Sequence, residues 1–350
     1  MFLLAFRAMQ DIILQTCPSF PPTPPAEHSA ARQAPATKQA HDLIAARIPA
    51  LHAIEVTPPP SPIPLGSTVR IAAWNAERCK YDKPSSRLLE TVAADVTLLS
   101  EMDVGMARSG NRHTVHDLAS SLQQGFAFAV EFVELGLGDS REMIWHAGQS
   151  NTLSLHGNAI MSRSRLADIF VVPLDEGATW FSNSDADQRR LGGRMAIAAR
   201  VASAPFPLWV ISIHLESRSD PASRALQTRR LLNALRMRIG DAPAVIGGDF
   251  NTASLPSDLA TGWETCHNLK ASEPLFAEMA DAGFTWISCN DGHATQRTRP
   301  DGTPPPPFNR LDWLFVRGLE VTGCRTWSAV DMEGTAISDH ELISVDLRLA

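Results

Sequence analysis

The sequence predicts an α/β sandwich made of two packed β-sheets. Two observations lead there. From Thr68 onward, short apolar runs with strand character follow one another, and only a few stretches carry helical periodicity. Many strands with few helices suit two stacked sheets better than a simple strand–helix–strand winding. Several of the runs also end in polar residues two positions apart, a spacing that aims both side chains from one face of a strand.

The elements follow in order. "VRIAAW" (69–74) is a short strand, and "LLETVAADVTLLSE" (88–101) passes from helix into a buried strand. "HTVHDLASSLQ" (113–123) is helical. "GNAIMSR" (157–163), "RMAIAARV" (194–201) and "PLWVISIHLES" (207–217) are successive strands. The helix at 219–240 has clear punctuation: Ser219 or Asp220 to cap it, Pro221 in its first turn and Gly240 to close it. "PAVIGGDFN" (243–251), "RLDWLFVRG" (310–318) and "ELISVDLRL" (341–349) are the late strands.

Residues 1–67 read differently. They are expected to form a Pro/Ala-rich, largely disordered segment, with the folded domain spanning 68–350. Within the segment "HDLIAARIPALHAIEV" makes a short helix and "TPPPSPIP" a stiff linker. The apolar start "MFLLAFRAMQDIIL" is interrupted by Arg7 and Asp11 and lacks the order of a signal peptide, leaving export as a weak alternative. Deleting residues 1–66 is expected to leave the domain folded.

Composition narrows the class. Hydrophobic residues make up 44% and charged residues 20% of 350, ordinary for a globular chain without a membrane-spanning run. The net charge of −7 excludes a globally basic nucleic-acid binder. Residues 187–240 reverse that balance, with ten arginines against Asp187, Glu216 and Asp220. They form either a basic face for a phosphate-bearing substrate or a solvated helix surface. Arg108, Arg112 and His113 are open to the same two readings. The five cysteines have no zinc-ligand spacing, so reduced thiols in a cytoplasmic setting are expected.

The chemistry gathers at strand ends. "VIGGDFN" puts Asp249 and Asn251 two apart behind two glycines, and "WNAE" does the same with Asn75 and Glu77. "LLSE" ends in Glu101, and "HLES" carries His214 and Glu216. Asp312 opens a strand, and Asp339 and His340 directly precede another. Any one of these sites is also a helix cap or a surface acid. Together, carboxylates and carboxamides without cysteine are hard oxygen ligands suited to Mg²⁺ or Mn²⁺. Two histidines can donate to a phosphoryl oxygen, one Asp can fix a histidine tautomer, and another can deprotonate water. That set is equipped for metal-assisted hydrolysis of a phosphate ester.

The pieces "WNAE", "LLSE", "GNAIMSR", "IHLES", "GGDFN", "RLDWLFV" and "SDHELISV", in this order over residues 70–349, resemble the endonuclease/exonuclease/phosphatase superfamily. The resemblance implies a DNase I-like, four-layer αββα sandwich of two mixed sheets with the site at one rim. It implies Glu101 as principal metal ligand, Glu77 as a support for the metal through water, and Asp339 as a metal-associated carboxylate. Glu77 stands where relatives often carry Asp. Asp249 would activate the attacking water, Asn251 would orient phosphate or water, and Asn75 would touch metal-bound water or the scissile phosphate. His214 and His340 would stabilise charge on the pentacovalent phosphorus, with Asp312 orienting His340. Ser217, Asn158 and Arg194 are candidate substrate contacts; the alternatives are a helix cap for Ser217 and a surface arginine for Arg194.

The expected function is divalent-metal-dependent phosphoric-ester hydrolysis, nuclease or phosphodiesterase in type. Two other readings stay open: a phosphomonoesterase or phospholipase C-like enzyme on inositol phosphates or lipids, and a catalytically silent binding module. The expected partner is the phosphate-ester substrate, with nucleic acid one candidate class, for a monomer without stable membrane insertion.

Overall fold

Alternating burial along the strands sorts the apolar side chains into three layers, which two sheets and their helices must separate. The computed structural model describes residues 12–182, 188–202, 204, 207–255, 266–297 and 310–348, and residues 1–11, which hold most of the apolar start, lie outside them. The elements in chain order are β1 (Thr16–Cys17), α1 (Pro25–Gln33), α2 (Lys38–Ala45), β2 (Ile54–Thr57), β3 (Thr68–Asn75), α3 (Asp82–Val92), β4 (Val96–Val104), α4 (Thr114–Ser121) and β5 (Gly125–Glu134). Then come α5 (Ser140–Trp145), β6 (Leu155–Ser162), β7 (Leu166–Pro173), α6 (Thr179–Ser182), β8 (Arg190–Gly192), β9 (Met195–Val201), β10 (Leu208–His214) and α7 (Pro221–Ile239). The chain continues through β11 (Ala244–Asp249), α8 (Cys266–Ser272), α9 (Leu275–Asp281), β12 (Asp312–Arg317), β13 (Glu320–Trp327) and β14 (Leu342–Arg348).

Among the described residues one sheet has nine strands, ordered β1-β2-β5-β6-β4-β3-β14-β13 with β8 beside β5, and the other has five, ordered β12-β11-β10-β9-β7. Both are mixed, because β3–β4 and β10–β11 are parallel within otherwise largely antiparallel sheets. The inner faces meet in a layer of Ile71, Leu98, Val210, Val245, Leu314 and Val345. One outer face packs Trp74, Leu99 and Phe128 against Leu89 and Leu118 of α3 and α4. The other packs Ile211, Ile246 and Phe315 against Leu231 and Leu235 of α7 and Phe276 of α9. This is the four-layer αββα sandwich that the motifs implied. No described helix is long and apolar enough to cross a membrane.

The expectation of a largely disordered N-terminal segment does not describe residues 12–67. Strand β2 extends the larger sheet through antiparallel pairing with β5. Phe20, Ala31, Ile44 and Ile48 enter the core, and His41 Nε2 accepts a hydrogen bond from Gly192 N at 2.9 Å. Proline density argued for a chain without a fold of its own; a neighbouring sheet edge supplies the partner that the segment lacks alone. Strands β5, β7 and β13 also went unread.

Candidate active site

Three site residues stand in a row because of strand register. His214 pairs with Asp249 across the parallel β10–β11 ladder, and Asp249 pairs with Asp312 across the antiparallel β11–β12 ladder. On the other sheet Asn75 ends β3, and its Nδ2 donates to Asp249 Oδ2 at 3.0 Å, joining the two sheets at the rim. The glycines before Asp249 permit this closeness. A Cβ on Gly247 would press on Leu314, Leu98 and Ala73 in the inter-sheet layer. Gly248 has φ +146°, and a Cβ there would overlap the Ile213 carbonyl of β10.

Asp249 is the centre of the cluster. His214 Nε2 lies 3.6 Å and His340 Nε2 3.8 Å from its Oδ2. Behind His340, Nδ1 is 2.7 Å from Asp312 Oδ2. Burial alone would push the His340 imidazole down, but Asp312, Asp249 and Asp339 together hold its pKa well above the usual value. Burial and nearby Asp312 raise the Asp249 carboxyl, against the pull of His340 and His214. The loop before β14 is tied to β3: Ser338 Oγ donates to Asn75 O (2.8 Å) and Trp74 Nε1 donates to His340 O (3.1 Å).

A second group of acids lies beside this centre. Glu101 is not at the end of its strand. It sits inside β4 at a register shift between Leu99 and Met102, with φ +56°, and the bulge re-aims its side chain. Glu77 Oε2 accepts from Asp339 N at 3.0 Å. Burial would raise Glu101, but Arg78 and then His214, His156 and His340 hold it well below the usual carboxylate range. Burial and the neighbouring Glu77 and Glu101 push Asp339 up to about 6, against His340 and Arg78. Three neighbouring carboxylates offer the hard oxygen ligands that a divalent ion takes, with Glu101 paired to Arg78 at 2.9 Å and Glu77 to Lys80 at 2.6 Å. Among the described residues, however, the set of three whose ligand atoms all lie within 4.8 Å of one another is Asp249, Asp312 and His340. Asp312 and His340 are already committed to each other; Glu77, Glu101 and Asp339 are not gathered that tightly, but as an all-oxygen group they match a hard divalent ion by ligand type.

Other expected contacts fall elsewhere. Strand β11 ends at Asp249, so period two does not carry on to Asn251. That residue has φ +49°; its backbone N donates to Asp249 Oδ1 at 2.8 Å and its Nδ2 to Leu215 O at 2.9 Å. Asn158 is fully buried, with Nδ2 on Glu131 Oε1 (3.1 Å) and Met195 O (3.2 Å), so it lies beneath the site and not on its surface. Arg194 is buried too: its Nη1 lies 3.2 Å from Glu131 and 2.8 Å from His214 Nδ1, and its Nε 3.2 Å from Glu216. It supports His214 from behind. Ser217 is exposed at the rim, with its hydroxyl 3.4 Å from Glu216 Oε1.

The arginine-rich segment is not one basic face, since Arg190, Arg194 and Arg224 are buried in ion pairs with Glu134, Glu131 and Glu273. Arg108 is likewise sealed among Asp103, Glu134, Glu142 and His156, Arg112 holds the Cys79 carbonyl, and His113 pairs with Glu55. Two residues at the site were missed. Glu131 lies in the apolar run of β5 at another register shift, where an acid inside the run was the available signal. Arg78 sits inside the "WNAERC" motif itself, and its Nη1 donates to Glu101 Oε2 at 2.9 Å.

With this rim on an αββα sandwich, the chain belongs to the Endonuclease/Exonuclease/phosphatase family, whose model matches residues 72–340. Members of this family are usually phosphoric-ester hydrolases and are generally divalent-metal dependent. Solved structures share the fold at low identity. An endonuclease/exonuclease/phosphatase from Beutenbergia cavernae is 19% identical with a TM-score of 0.57, covering 81% of this chain and 72% of that one. One from Bacteroides vulgatus is 15% identical with a TM-score of 0.54 over 81% and 100% of the two chains. The human Nocturnin catalytic domain with bound sulfate is 16% identical with a TM-score of 0.52 over 82% and 97%. None of the curated proteins matches the chain by sequence.

Proposed function

We propose that the protein hydrolyses phosphoric esters with Mg²⁺ or Mn²⁺ and acts by preference on phosphodiesters. One observation carries the reading: a buried carboxylate oxygen, Asp249 Oδ2, has Asn75 Nδ2 at 3.0 Å and the Nε2 atoms of His214 and His340 at 3.6 and 3.8 Å. Asp249, its carboxyl raised by burial, takes the proton of the attacking water. Asn75 and the Asn251 backbone fix the orientation of that carboxylate. The two histidines present N–H groups to the phosphoryl oxygens, where charge grows in the transition state. Asp312 keeps the His340 proton on Nδ1 and sustains the imidazolium, so Nε2 also carries a proton for donation. Glu131 and Arg194 hold His214 from behind. Glu101, Glu77 and Asp339 would hold a divalent ion, which supplies Lewis-acid neutralisation of the phosphate when bound. The diester preference rests on "HLES", which resembles the tyrosyl-DNA phosphodiesterases.

The test is a substrate panel: single- and double-stranded DNA, RNA, a 5′-phosphotyrosyl oligonucleotide, sphingomyelin and inositol phosphates. Cleavage of a diester, abolished by EDTA and restored by Mg²⁺ or Mn²⁺, supports the reading. Cleavage of monoesters alone assigns the phosphomonoesterase alternative. No cleavage on any member, with Mn²⁺ bound, favours a binding module.

A further inference from the structure

The group best placed to hold a metal ion is already held by a cation of the chain. Arg78 Nη1 donates to Glu101 Oε2 at 2.9 Å, and Arg78 Nε lies 3.1 Å from Glu142 Oε1. Both partner carboxylates are largely shielded from water, with 20% and 6% of their side-chain surface exposed. Glu142 is in turn fixed by Arg108 at 3.1 Å and by the Asp139 backbone N at 2.9 Å. The guanidinium is therefore suspended between an acid anchored in the fold and an acid facing the site.

The backbone brings it there at a cost. Glu77, Arg78 and Cys79 all have positive φ, at 44°, 67° and 48°, and Glu101 has φ +56°. Four non-glycine residues in the left-handed region, gathered around one ion pair, mark a conformation that its surroundings enforce. Those surroundings are specific. Glu77 N donates to Asn75 Oδ1 (3.1 Å), Cys79 N donates to Ala76 O (2.8 Å) and Arg112 Nη2 donates to Cys79 O (2.7 Å). The constrained turn fixes the Arg78 backbone within side-chain reach of Glu101 and Glu142.

We propose that Arg78 is a built-in competitor for the divalent ion at Glu101: it neutralises the carboxylate in the metal-free protein and sets how tightly metal binds. The inference rests on the reading of Glu101 as a metal ligand. An ion bound by the Glu101 carboxylate would compete with the Arg78 Nη1 hydrogen bond for the same negative charge. Glu142, at ion-pair distance from Nε, gives the guanidinium a second acid to stay beside, so its positive charge would remain near the ion. Both effects weaken cation binding relative to a site with a neutral residue at position 78.

Titration calorimetry with Mn²⁺ alone, on the full chain, tests this without reference to any substrate. Arg78→Gln is expected to tighten Mn²⁺ by about tenfold or more, and Arg78→Lys, which keeps a cation, to stay near wild type. Equal or weaker Mn²⁺ affinity in a folded Arg78→Gln variant overturns the proposal. If Arg78→Gln fails to fold, Arg78→Met serves in its place with the same two outcomes. Glu101→Gln separates the role of Glu101 as a ligand from that of Arg78 as a competitor. Loss of Mn²⁺ binding there keeps Glu101 as ligand whatever Arg78 does, whereas unchanged binding removes the metal reading itself and the proposal with it.

Discussion

His214 and Asp249 are register partners on parallel strands, and their side chains stop 3.6 Å apart at Nε2 and Oδ2. His340 reaches the same oxygen at 3.8 Å from the loop before β14. Both separations exceed an ordinary hydrogen bond. Two donors from different elements thus face one acceptor without closing on it. In the proposed mechanism their Nε2 protons turn to a phosphoryl group.

Asp312 is the residue that sets the state of His340. Removing its charge in Asp312→Asn takes away the largest of the influences holding that imidazole up. The raised His340 stays protonated well past the usual histidine range, and the variant lets the proton go at lower pH. A pH–rate profile should therefore show the alkaline limb moved to lower pH, with kcat down about 10²- to 10⁴-fold. An unmoved alkaline limb would remove Asp312 from this role.

The N-terminal segment belongs to the fold. Deleting residues 1–66 strips Phe20, Ile44, Ile48 and Ile54 from the buried set. At about 1.5–3 kcal/mol each, their loss is comparable to the whole stability of a typical domain. Thermal melts of the truncated chain should show a Tm lower by at least about 10 °C, or no cooperative transition. A Tm equal to that of the full chain would restore the view of a dispensable tail.

Away from the site, Asp291 is a marker for acid stability. Its carboxylate accepts from Thr326 N at 2.5 Å and Oγ1 at 2.6 Å and lies 3.4 Å from Arg310. Burial would raise it, but those Thr326 hydrogen bonds and Arg310 depress it to about 2. A depressed acid stabilises the fold above its unfolded pKa of 3.8 and loses that contribution as pH falls toward about 2. Asp291→Asn should cost about 1–3 kcal/mol at pH 7 and flatten the fall in stability between pH 4 and 2. A wild-type slope in the variant, measured by urea titration across that range, would contradict this.

What the sequence disclosed and what it hid have a common physical basis. Asn75, His214, Asp249 and Asp312 lie at the ends of regular strands, where a period of two and an apolar run locate them directly. Glu101 was legible as an acid after an apolar run but not as a bulge residue, and Glu131, also on a bulge, was missed, because a bulge breaks the period of two. Arg108, Arg190, Arg194 and Arg224 read as anion-binding or plain surface residues, because a charged residue is normally exposed. Each is buried with acids 5 to 63 positions away in the chain, and pairing at that separation leaves no local pattern. Residues 12–67 were misread because the order of that segment is borrowed from β5 and the core, not encoded in its own periodicity.

The central claim is that Asp249 activates the water that attacks phosphorus, and the most direct measurement is single-turnover hydrolysis of a cleaved phosphodiester by Asp249→Asn at saturating Mn²⁺. The expected rate is at least about 10²-fold below wild type, with Mn²⁺ affinity and Tm close to unchanged. A folded, Mn²⁺-loaded Asp249→Asn protein that turns over at the wild-type rate would contradict it and place the base elsewhere on the rim.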